Sequence, residues 1–155
     1  MTQYTDFDIQ QTIQIWTDGG CLGNGSATNT GGCAFVVIQN ETLVFSHSYQ
    51  AENTTNNKME ISGVIEALKW CKNNGILKPT INCDSVYTIN GATTWKHNWL
   101  KNNWIKSDKK PVLNKELWIE LYGLDNVVQA QFQWVKAHNG SKWNELADEL
   151  TRQIS

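Results

Sequence analysis

The stretch Ile13-Gln14-Ile15-Trp16-Thr17-Asp18-Gly19-Gly20 constrains the fold more than any other part of the chain. Ile13, Ile15 and Thr17 alternate with Gln14 and Trp16, the period of a β-strand with its β-branched residues on one side. The strand ends in an acid and then two glycines. Such a strand usually runs into the middle of a sheet, where a carboxylate is costly to bury unless something neutralises it. The glycines remove side-chain bulk just past the acid, so a ligand or a second backbone can approach. Taken alone, the pattern is more simply a strand closing in an Asp-Gly turn. The other acids of the chain have to decide.

After this strand comes a glycine-rich loop, Gly19 to Ser26, which lacks the Gly-Lys-Ser/Thr and following helix of a phosphate-cradling loop. Gly32–Ile38 and Thr42–Tyr49 read as two further strands around an Asn40-Glu41 turn, so the first three strands form an antiparallel meander. The N-cap formers Asn53 to Asn57 open a helix that runs to about Asn74-Gly75. Pro79–Cys83 is a short strand ending at Asp84, with a brief helix near Ser85–Asn90. Beyond a tryptophan–lysine segment at 94–110, Leu113–Leu124 reads as helix, Gln129–Val135 as strand and Ser141–Ile154 as a closing helix. Strands that follow helices call for a mixed α/β fold, its sheet flanked by helices.

A chain of 155 residues is one domain by default, here a short lead-in over 1–11 and a single domain from 12 to 155. No apolar run approaches the ~20 residues of a membrane span, and the acid-bearing N-terminus is unlike a signal peptide. Cys21, Cys33, Cys71 and Cys83 have no zinc-type spacing, so free thiols in the cytoplasm are the simplest expectation. The net charge of −2 hides an asymmetry: residues 96–115 carry six lysines against Asp108, a local +5 that leaves −7 elsewhere. One edge of the molecule should attract phosphates.

Asp84 ends a strand as Asp18 does, and neighbouring strands would bring the two acids together at one edge of the sheet. Glu60 heads a small, apolar helical face of Gly63, Val64, Ala67 and Cys71, which suits packing on a sheet. Near the C-terminus, His138 lies in a loop and Asp148 inside a helix, sharing a face with Asn144 four residues earlier. Singly, each has a plain structural explanation: a dipole-stabilised acid, a surface histidine, a solvated aspartate. Gathered at one spot, four carboxylates would repel and push at least one pKa upward. Divalent cations remove that problem, and oxygen-only ligands select Mg²⁺ or Mn²⁺ over zinc. Two such ions ~4 Å apart serve in-line displacement at phosphorus.

Thr17-Asp18-Gly19, Asn56-Asn57-Lys58-Met59-Glu60, Asp84-Ser85 and His-x-Gly-x₃-Asn-Glu-x₂-Asp at 138–148 resemble, in order, the motifs of type-one ribonuclease H. Trp95-x-x-Asn98-Trp99 and Asp108-Lys109-Lys110-Pro111 resemble that family's basic protrusion, here about 94–111. The resemblance spans Ile13 to Ile154. It implies an RNase H-like fold with a five-stranded mixed sheet, and endonucleolytic hydrolysis of the RNA strand of an RNA–DNA hybrid, leaving 5′-phosphate and 3′-hydroxyl ends. By position, Asp18 would bridge two Mg²⁺ ions, Glu60 and Asp84 would complete the ion on the leaving-group side, and Asp148 would hold the ion bearing the nucleophilic water. His138 would assist proton movement or product release. Cys21, Asn24 and Asn57 would lie along the minor groove, where 2′-hydroxyls mark the RNA strand. Thr55 and Asn98 match positions holding a DNA-strand phosphate, Trp95 one that packs on a DNA sugar, and Lys101, Lys109 and Lys110 would add salt-sensitive phosphate attraction. A monomer is expected.

Three positions depart from the family's common pattern: Gly20 replaces a frequent serine, Gly25-Ser26 a frequent proline, and Val86 a glutamine that donates to the RNA strand. None touches the acids. A non-catalytic hybrid-binding module, or another nuclease or strand-transfer enzyme of the wider superfamily, are the competing readings. Four intact acids weigh against the first, and the 138–148 spacing with the basic segment against the second.

Overall fold

The computed structural model describes residues 12–22, 29–137 and 139–152. The lead-in at 1–11, Asn24 and Gly25-Ser26 in the glycine-rich loop, and His138 therefore lie outside the described residues. Strands β1 (Gln14–Leu22), β2 (Thr30–Gln39) and β3 (Thr42–Glu52) are followed by α1 (Asn56–Asn73), β4 (Thr80–Cys83), α2 (Val86–Ala92), α3 (Lys96–Lys101), α4 (Lys115–Val128), β5 (Gln131–Trp134) and α5 (Lys142–Thr151). The strands form one five-stranded sheet in the order β3-β2-β1-β4-β5. β1, β2 and β3 pair antiparallel, while β4 runs parallel to both β1 and β5. Asn40 and Glu41 both adopt positive φ, the two-residue turn whose twist matches a hairpin.

β1 is longer than its sequence suggests. The glycines do not end it, because β2 accompanies it as far as Thr30 opposite Leu22. Its other neighbour stops sooner, at Cys83 opposite Thr17. Asp18 therefore stands in mid-strand, at the point where one flank of β1 loses its partner. Ile13, Ile15 and Thr17 are buried, as their alternation predicts.

The helices cover both faces. A Cβ added to Gly31 would meet Thr54 and Met59, at the start of α1, whereas one on Gly32 would run into the carbonyl of Thr151 at the end of α5. Successive strand residues point to opposite faces, so α1 and α5 lie on opposite sides of the sheet. Val64, Ala67 and Cys71 of α1 are fully buried. Phe35, Phe45 and Trp70 pack together at the far end of this layer, and Tyr87, Trp95, Trp99, Trp104, Trp118 and Tyr122 form a second aromatic cluster beneath the protrusion.

Several boundaries move for identifiable reasons. α4 starts two residues after Leu113 because Asn114 is left-handed, and it continues to Val128 until Gln129 turns left-handed in turn. Gln129 therefore cannot begin β5. The protrusion contains one short helix, α3; its second half is a tight turn closed by an Ile105–Pro111 bridge and by Lys106 N–H donating to the Lys110 carbonyl at 2.8 Å. Cys21, Cys33, Cys71 and Cys83 are free thiols. Among the described residues, no helix is long and apolar enough to cross a membrane.

Candidate active site

Three chain segments converge where β1 outruns β4. Asp18 comes from mid-β1, and Asp84 directly follows the last residue of β4. Ser85 then caps α2, accepting from Thr88 N–H at 3.1 Å, which turns the chain away immediately after the acid. The indole Nε1 of Trp134 donates to the Asp84 carbonyl at 3.1 Å, tying this strand end to β5. Glu60 is supplied by α1, whose N-cap Thr55 accepts from Lys58 N–H at 3.1 Å. Its approach depends on Gly19, since a Cβ there would overlap the Met59–Glu60 peptide. The ligand atoms of Asp18, Glu60 and Asp84 all lie within 4.8 Å of one another.

α5 closes the site from the other face. Asn144, buried, donates from Nδ2 to Asp84 Oδ2 at 3.4 Å. Asp148, one turn on, lies outside the tight group of three but lines the same cleft of about 370 Å³. Arg152, a further turn on, pairs with it at 3.3 Å. Asn144, Asp148 and Arg152 thus form one stripe along the helix. Asn144 was legible only as a neighbour of Asp148, and Arg152 was missed, although the same four-residue spacing points to it.

The electrostatics are those of crowded, buried carboxylates. Burial, then the Asp84 charge, then a hydrogen bond and the charge of Asp148 push the Asp18 carboxyl from its ordinary 3.8 up to about 8, against the pull of the Gly19 N–H. Glu60 is also pushed well above its usual range, by burial first and then by Asp18 and Asp84. Its Oε1 is buried and, among the described residues, has no hydrogen-bond partner. Such an orphaned acceptor is expensive unless a proton or a cation meets it. Oxygen-only donors of this number suit a hard divalent ion.

The remaining candidates divide between two places. Cys21 lines the acid cleft, its thiol 3.7 Å from the Thr54 carbonyl. Asn57, Trp95, Asn98, Lys101 and Lys109 line a separate open groove of about 970 Å³, together with Tyr87 and Lys106. Thr55 and Lys110 are outside that lining. Thr55 is engaged as the α1 cap, and Lys110 is exposed on the protrusion's turn. Lys106 is partly neutralised by Asp108 at 3.6 Å. Trp99 is buried but borders the groove, Trp104 packs against the core, and Trp95 is partly buried and lines the groove.

Comparison with known proteins agrees with this architecture. The RNase H family model matches residues 10–155. Ribonuclease HI of Haemophilus influenzae is 44% identical over 94% of this chain and 90% of its own. The crystal structure of LC9-RNase H1, a type 1 RNase H, is similar with a TM-score of 0.76 at 28% identity, covering 95% of this chain and 72% of that one. LC11-RNase H1, solved in complex with an RNA/DNA hybrid, shares the fold with a TM-score of 0.67 at 22% identity, over 90% and 94% of the two chains. With a family model that matches nearly its whole length and a ribonuclease HI relative 44% identical to it, the chain belongs to the ribonuclease H family, on its HI branch, and is an enzyme.

Proposed function

We propose that the protein hydrolyses the RNA strand of RNA–DNA hybrids with the help of two divalent cations, Mg²⁺ by preference and Mn²⁺ as a substitute. The observation that carries this reading is the group of Asp18, Glu60 and Asp84 with ligand atoms within 4.8 Å and an orphaned, buried Glu60 oxygen. Asp18 would be shared between both ions, Glu60 and Asp84 would complete one, and Asp148 the other. Cations held there would supply a nucleophilic water and stabilise charge at phosphorus and on the leaving oxygen, giving 5′-phosphate and 3′-hydroxyl ends.

The protein's own part is positioning. Gly19 lets Glu60 close on Asp18, and Asn144 and Trp134 fix Asp84 from two sides. His138 is assigned the auxiliary role of moving a proton or clearing product, so its removal slows turnover without abolishing it. Asn24, Asn57 and Cys21 are assigned to the minor groove, Thr55, Trp95 and Asn98 to the DNA strand. Lys101, Lys109 and Lys110 provide sequence-independent attraction. Trp95, Asn98, Asn57 and two of those lysines share one groove, which supports a track for one strand. We take the enzyme to act as a cytoplasmic monomer.

The test uses end-labelled RNA–DNA hybrid, RNA duplex and DNA duplex, each with Mg²⁺ or EDTA, alongside Asp18→Asn. Cleavage of the hybrid's RNA strand alone, lost in EDTA and in the variant, is expected. Equal cutting of all three substrates, or activity surviving Asp18→Asn, overturns the reading.

A further inference from the structure

Among the described residues, Asp148 differs from the other three acids in having a cation on it. Arg152 Nη2 lies 3.3 Å from Asp148 Oδ2, one helical turn further along α5. Among the described residues lining the acid cleft, Arg152 is the one cation beside Asp18, Glu60, Asp84 and Asp148. The pair is asymmetric in exposure: the Arg152 side chain is 69% exposed and that of Asp148 29%. The guanidinium therefore reaches Asp148 from the solvent side and can swing away without leaving a buried charge behind.

This contact has two consequences for an ion arriving at Asp148. The carboxylate is already partnered, so the ion must replace or share an existing charge-assisted contact. A dication also meets a nearby positive charge, which opposes its arrival even through a solvent-like dielectric. Glu60, by contrast, presents one oxygen, Oε1, that has no hydrogen-bond partner among the described residues. The two sides of the acid group thus differ in readiness for a cation.

We propose that Arg152 is a positioning residue that holds Asp148 in the metal-free protein and raises the cation concentration needed to fill the position Asp148 serves. The inference rests on the metal reading above. It concerns the Asp148 position alone, which an ion fills only when the guanidinium yields.

The test titrates the whole protein with Mg²⁺ in the absence of nucleic acid, following heat by calorimetry and the Asp148 carboxylate by ¹³C NMR. Wild-type protein should show a weaker binding step reported by that carboxylate. Arg152→Gln should tighten this step about 1.5- to 5-fold, the range set by an exposed ion pair. Arg152→Lys, which keeps the charge, should stay within about twofold of wild type, and Asp148→Asn should abolish the step. Raising KCl should shrink the gap between wild type and Arg152→Gln by screening. An unchanged or weakened step in Arg152→Gln overturns the proposal and leaves the metal reading standing. No Mg²⁺-dependent change at Asp148 in the wild type also overturns the proposal, and no Mg²⁺ binding of any kind overturns the metal reading with it.

Discussion

Asn144 donates its buried side-chain amide to the carboxylate of Asp84, 3.4 Å away and 60 residues earlier in the chain. The bond joins the helix on one face of the sheet to the end of a central strand. It also commits one Asp84 oxygen to a neutral donor.

Asn144→Ala should therefore do more than destabilise. Losing a buried hydrogen bond costs about 1–3 kcal/mol, measurable by denaturant unfolding. The Mg²⁺ concentration for half-maximal activity should also rise several-fold. Asn144→Asp places a further carboxylate against Asp84 and should be worse on both counts. A variant that loses stability with an unchanged Mg²⁺ requirement would show that the bond serves folding alone.

In the metal-free protein, stability should fall as pH rises. With its carboxyl raised from 3.8 to about 8, folded Asp18 keeps a proton that the unfolded chain has lost across that window. The native state binds more protons than the unfolded one there, so the contribution is present at about pH 4 and lost by about pH 8. Glu60 acts in the same direction. In EDTA at pH 8, Asp18→Asn should melt above wild type, by about 5 °C for one to two kcal/mol relieved. The gap should close at pH 4 and reverse with Mg²⁺. Parallel pH curves for the two proteins in EDTA would refute the charge crowding.

The two glycines after Asp18 should respond differently to alanine. A Cβ on Gly19 overlaps the Met59–Glu60 peptide, whereas one on Gly20 meets nothing within 4 Å. Gly19→Ala should cost about 1–3 kcal/mol by forcing α1 off β1 and should depress kcat as Glu60 moves. Gly20→Ala should be neutral or slightly stabilising, by up to about 1 kcal/mol. Chemical denaturation and steady-state rates on the hybrid distinguish them.

Neutralising Lys101, Lys106, Lys109 and Lys110 should raise KM and flatten its salt dependence, with kcat little changed. Lys106 should contribute least, because Asp108 already offsets it. KM measured between 50 and 200 mM KCl decides the point; an unchanged value at low salt would remove the phosphate-handle role.

What the sequence made legible follows from local rules. The alternation of Ile13, Ile15 and Thr17 required only a pleat with one buried side, and the caps Thr55 and Ser141 required only their own hydroxyls. The course of β1 past Asp18 depends on how far β2 accompanies it, and the alternation within β1 does not report that length. Asn114 and Gln129 are left-handed without being glycine, so their helix ends are set by tertiary packing. The candidate acids were readable through spacing within known motifs. Arg152 was not, because an exposed arginine on a helix has no distinctive pattern until its neighbour is known to face a cleft.

The crossing of α5 over β1 and β2 also sets a timetable. Asp18, Glu60 and Asp84 are all translated before the protrusion, yet the buried donor to Asp84 and the fourth acid arrive only with residues 144 and 148. While those residues remain inside the ribosomal tunnel, the emerged chain holds three crowded carboxylates without the helix that completes them. On the reading proposed above, a nascent chain can begin its sheet but cannot hold both cations until α5 has emerged and folded over β1 and β2.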